Sequence, residues 1–103
     1  MPDIAVVVTP LAIPEQGSEW THKKGTVYVV LETSAPSDDP ADTKFPVTVL
    51  YMGPDGRIWP RTLPRWYEGM TFARAPRFKP GSLLCRLYLA WRVWSTRRAN
   101  GQK

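Results

Sequence analysis

The chain has 103 residues, 43% of them hydrophobic, with five tryptophans and a net charge of +5. That length supports one domain with a modest core, and the apolar content argues against intrinsic disorder. A single cysteine, Cys85, excludes a disulfide within these residues and any multi-cysteine zinc site.

The net charge hides an asymmetry. Residues 1–56 hold three lysines against eight acids, whereas residues 57–103 hold eleven basic residues against Glu68 alone. Such a contrast points either to an anionic partner for the second half or to pairing of the two halves within one fold. At the start of the chain, Asp3 stands where an export signal needs positive charge, and Pro10 and Pro14 interrupt the apolar run. The longest apolar stretch, residues 83–94, contains Arg86 and Arg92 and is far shorter than the roughly 20 residues of a membrane span. A cytoplasmic protein without a membrane partner is the expectation.

Taken in chain order, residues 4–9 are β-branched and end at Pro10, which reads as a strand. Residues 25–34, "GTVYVVLETS", carry apolar side chains on both faces and predict a central buried strand. The acidic, proline-rich residues 35–44 predict an exposed loop. A strand over residues 45–52 leads into Gly53-Pro54-Asp55-Gly56, a turn with proline preset at its second position and glycine free for positive φ at its end. This predicts a hairpin into "RIWPR", whose Pro60 has no N–H for a ladder and so confines the strand to a sheet edge or bulge. Residues 63–70 fit one helical turn with Pro64 at its start, and residues 71–82 a basic, proline-broken connection.

The last segment, residues 83–94, admits two readings. A helix capped by Ser82 puts Leu83, Leu84, Leu87, Trp91 and Trp94 on one broad face and Arg97 and Arg98 in its last turn. A strand instead aligns Leu83, Cys85, Leu87, Leu89, Trp91 and Val93. Helix is the reading carried forward. On it, the broad face docks on the sheet, and Leu89 and Val93 form a second face that meets another chain.

With these elements placed, "HKKGTVYVVLE", "VTVLYMGPDGRIWPR" and "WYEGM" resemble a small uncharacterised bacterial and phage family. Its pattern is a histidine, a lysine-glycine and a tyrosine, then a strand ending in tyrosine that turns into tryptophan and arginine. His22, Lys24, Gly25, Tyr28, Leu31, Val49, Tyr51, Trp59 and Arg61 carry the resemblance, which covers about residues 20–70. The family motif W-x-R-P is altered here, since Thr62 follows Arg61 and proline precedes it. The resemblance implies a short, strongly bent, SH3-like β-sheet and a phage or prophage source. It brings no biochemical activity.

The fold expected is therefore mainly β (α+β), one domain over residues 1–103. Residues 1–79 form an SH3-like bent sheet or barrel, and residues 80–103 a basic helical segment. Catalysis is not expected. His22 and Cys85 lie in unlike contexts, and Cys85 among leucines reads as an inert buried thiol. Asp38, Asp39 and Asp42 lack the central glycine and terminal glutamate of a calcium loop, so neither metal nor cofactor is expected. Two kinds of binding fit. Arg57, Trp59, Arg61, Arg65, Trp66 and Tyr67 offer an aromatic surface for a host protein, whose function such a module would block. Leu89 and Val93 add a contact for that protein or for a second copy. Alternatively, the cations and rings of residues 57–79 track phosphates and stack on bases of a nucleic acid.

Overall fold

The computed structural model describes residues 12–34 and 47–101. The strand expected over residues 4–9 and the acidic loop 35–44 lie outside them. Seven elements follow in order: β1 (Glu19–His22), β2 (Val27–Ser34), β3 (Thr48–Met52), β4 (Ile58–Thr62), α1 (Leu63–Gly69), β5 (Met70–Arg74) and α2 (Leu83–Ala99). The fold is α+β. Its five strands form one antiparallel sheet in the order β4-β3-β2-β1-β5. The sheet does not close into a barrel: β4 and β5 are its two margins.

The turn Gly53-Pro54-Asp55-Gly56 forms as its chemistry requires. Gly56 sits at φ 82° and its N–H donates to the Gly53 carbonyl over 3.0 Å. β4 runs back along β3 with Pro60 opposite Leu50, and it pairs with β3 alone, as a strand with a missing N–H must. Two elements differ from the sequence reading. β1 was not expected, because "EWTH" has no β-branched run. β5 occupies part of the segment expected to be a connection; its only buried residue is Met70, so no alternating apolar pattern announces it.

Register decides which side chains share a face. Val30, Val49, Tyr51 and Trp20 project to one side, where α1 covers them with Leu63 and Trp66. Trp66 is fully buried and lies edge-on to Trp20 and Tyr51, with ring centroids 5.5 and 5.1 Å away. The other face carries Val29 and Met52, and α2 lies against it through Cys85 and Leu89, with Leu31, Tyr88 and Val93 alongside. The sheet is thus the middle of three layers.

α2 is a helix because Ser82 caps it, accepting the Cys85 N–H over 3.2 Å, and because leucine, alanine and arginine fill its turns. The docked face is narrow, so polar contacts fix the helix along its length. At the start, Gln16 accepts the Gly81 N–H over 2.8 Å. In the middle, Arg92 donates to Glu19 over 3.1 Å and to the Tyr88 hydroxyl over 3.0 Å. At the end, Arg97 Nε donates to the Gly56 carbonyl over 3.2 Å, and Asn100 donates to the Pro54 carbonyl over 2.9 Å.

Candidate functional site

Three surfaces carry chemistry beyond packing. The first is the β4 margin. Arg57, at the entry to β4, is exposed and Trp59 is 46% exposed, because β4 has no outer neighbour to cover them, whereas Arg65 is exposed on α1 rather than on this strand. Arg61 lies on the same side of the strand as Trp59, and its guanidinium stands 5.7 Å from the centre of the Tyr51 ring. Trp66 and Tyr67 do not join this surface. Trp66 is the centre of the core, a correction to its expected contact role. Tyr67 is half-buried, with its hydroxyl donating to the Ala12 carbonyl over 2.6 Å.

The cations and rings of residues 57–79 do not make one strip. Arg57, Trp59 and Arg61 belong to the β4 margin, whereas Phe72 and Arg74 belong to β5 at the opposite margin. A meander that returns its last strand to the far side of the first parts residues that are neighbours in sequence.

The second surface lies where the turn after β1 meets the end of α1. The Lys24 N–H donates to Nδ1 of His22 over 3.2 Å, and the Lys23 N–H donates to the Gly69 carbonyl over 2.9 Å. With Nδ1 an acceptor, the neutral imidazole carries its proton on Nε2. A Cβ on Gly69 would stand 3.3 Å from that Nε2 and 3.5 Å from a terminal nitrogen of Arg61. The half-buried Tyr28 ring stands 6.4 Å from the His22 ring and packs edge-on against the buried Tyr51 ring, 5.1 Å away. Burial holds the His22 imidazole below its ordinary pKa, and the charges of Arg61, Lys23 and Lys24 add to the effect.

The third surface is the outward face of α2. Leu83, Leu84, Leu87, Trp91 and Trp94 are 57–69% exposed and fall within an arc of about 100° on the helix. The expectation for this helix is therefore inverted: Leu89 is buried and Val93 half-buried against the sheet, while the broad leucine–tryptophan face points to solvent. Both arcs are apolar, so periodicity alone does not orient the helix. The discriminating signal was Arg98, seven residues after Trp91 and fourteen after Leu84, which sits inside the leucine–tryptophan arc. The arc of Cys85, Leu89, Val93 and Thr96 has no charge. Arg98 now lies 5.2 Å from the Trp94 ring.

Cys85 is buried, its thiol 3.6 Å from the Gln16 carbonyl, on the opposite side of the sheet from His22. No group of three or more histidine, cysteine or acidic side chains converges among the described residues. No helix among them is long and apolar enough to cross a membrane. No family model matches the chain, and neither does any curated protein or solved structure.

Proposed function

We propose that the protein is a non-enzymatic binding module that docks a partner protein on the outward face of α2. The observation carrying this reading is the stripe Leu83, Leu84, Leu87, Trp91 and Trp94, every member more than half exposed. Apolar patches of this extent on a folded domain mark interaction sites, and tryptophan is the side chain most often found as a binding anchor. Covering the stripe contributes on the order of 5 kcal/mol of gross burial energy, before the costs of association.

Charge describes the partner. α2 carries Arg86, Arg92, Arg97 and Arg98 and no acid. A groove with an apolar floor and an acidic rim complements it, in the helix-in-groove mode. A second copy would bring the same arginines and repel. Filling such a groove displaces its own ligand, which suits a module that inhibits a host protein. The resemblance supports a phage or prophage source. The meander with a short helix before its last strand supports an SH3-like reading of the sheet. The separation of His22 from Cys85 supports the absence of nucleophilic catalysis. Nucleic-acid binding draws less support, because residues 57–79 divide between opposite sheet margins.

The test is affinity capture from bacterial lysate with the protein and with a Leu87→Ser/Trp91→Ser variant, each with and without nuclease. A partner retained after nuclease and lost with the variant is expected. Capture that vanishes with nuclease, or that the variant preserves, would overturn the reading. So would a mass in solution that doubles with concentration for the unaltered protein and not for the variant.

A further inference from the structure

We infer that a phosphate group binds at the end of α1, in a cradle formed by Nε2 of His22 and the guanidinium of Arg61 over Gly69. This site is separate from the α2 stripe and does not depend on it.

The geometry comes from three elements. β1 ends in His22, and the Lys24 N–H fixes its ring through Nδ1, leaving Nε2–H as a donor beside Gly69. β4, beyond β2 and β3 in the sheet, supplies Arg61 on the same face, with its guanidinium 5.7 Å from the centre of the Tyr51 ring. α1 supplies the floor between them: Gly69 is buried beneath the two side chains, and a Cβ there would stand 3.3 Å from Nε2 and 3.5 Å from the Arg61 nitrogen, so ring and guanidinium pack directly over the glycine. Gly69 does not have positive φ, so backbone conformation does not demand glycine there. The missing side chain lets both donors close down over the same backbone position. The Gly69 carbonyl, which would repel an anion, is already engaged by the Lys23 N–H.

Electrostatics select the ligand. Burial first, and then the positive charges of Arg61, Lys23 and Lys24, disfavour protonation of His22. Among the described residues none of the three cations is in an ion pair. The acid nearest in sequence, Glu68, is exposed on α1. Phosphate near neutral pH carries close to two charges and several acceptor oxygens, and it matches an arginine fork beside a second donor. A carboxylate compensates only one of the three cations. On binding, the anion favours the imidazolium, so His22 takes up a proton and becomes a charged donor.

His22 is the only histidine in the chain, which makes its ring protons an unambiguous NMR reporter. Inorganic phosphate titrated at constant ionic strength should shift these signals saturably and raise the pH midpoint of His22. Acetate at the same ionic strength should not saturate. Gly69→Ala, whose Cβ would crowd His22 Nε2 at 3.3 Å and push the two donors apart, should weaken phosphate binding at least tenfold. Arg61→Gln removes the fork from a half-exposed side chain and should do the same, which keeps the test decisive if the alanine variant unfolds. A linear, non-saturating response to phosphate would overturn the proposal. Unchanged phosphate affinity in a folded Gly69→Ala or Arg61→Gln variant, or acetate binding as tight as phosphate, would also overturn it.

Discussion

Leu87 and Leu89 stand two residues apart in the middle of α2 and carry the same side chain, so truncating each to alanine separates facing from chemistry. Alanine and leucine differ little in helix propensity, which leaves packing as the variable. Leu89 is 5% exposed and packs with Val29, Met52 and Cys85. Its truncation removes buried methyl groups and opens a cavity, a loss of about 2–5 kcal/mol. Domains of this size have total stabilities of about 5–15 kcal/mol, so the melting temperature should fall by roughly 10 °C or more. Leu87 is 58% exposed, and its truncation should stay within about 0.5 kcal/mol of the parent. Thermal and urea unfolding followed by circular dichroism measure both. Equal losses, or a larger loss at Leu87, would refute the orientation of α2 and with it the exposed stripe.

Two further outcomes follow from local geometry. Gly56→Ala should destabilise the protein by about 1 kcal/mol or more, since its φ of +82° is strained for alanine and the new Cβ would meet Arg97 Cγ at 3.1 Å; the urea midpoint reads this, and an unchanged midpoint contradicts it. Because His22 binds its proton less readily folded than unfolded, the unfolded state takes up more protons as pH falls below 6.5. Stability is then full above that pH and declines under acid. His22→Asn, which keeps an acceptor for the Lys24 N–H, should show a shallower decline between pH 7.5 and 5, and a steeper one would contradict the sign.

What could be read from the sequence was what is decided locally. The Gly53–Gly56 turn, the edge position of β4 and the Ser82 cap each follow from one or two residues whose backbone preferences have no competitor. β1 and β5 escaped because their pairing is decided between strands distant in sequence: Trp20 meets Phe72, and the pairs shift register between Glu19 and Trp20. The face of α2 escaped for a different reason. Its docked side is built from small or single apolar groups, and glutamate, glutamine and main-chain contacts hold it in place, so the more hydrophobic arc is the one left outside. The cradle over Gly69 was only half visible. His22 and Arg61 stood out by resemblance, but their convergence depends on α1 crossing the sheet.

The polar clasp between the end of α2 and the β3–β4 turn gives the molecule a mechanical character. Arg97 and Asn100 hold main-chain carbonyls on both sides of Asp55, so two hydrogen bonds tie the last turn of the helix to the hairpin tip. Hairpin tips are ordinarily the part of a fold free to lengthen or change sequence. This one is a socket, and any residue inserted there would release the far end of the helix. A chain that grips the tryptophans of α2 therefore pulls on the β4 margin through two hydrogen bonds, and the strand bearing Trp59 and Arg61 is the part that receives the load.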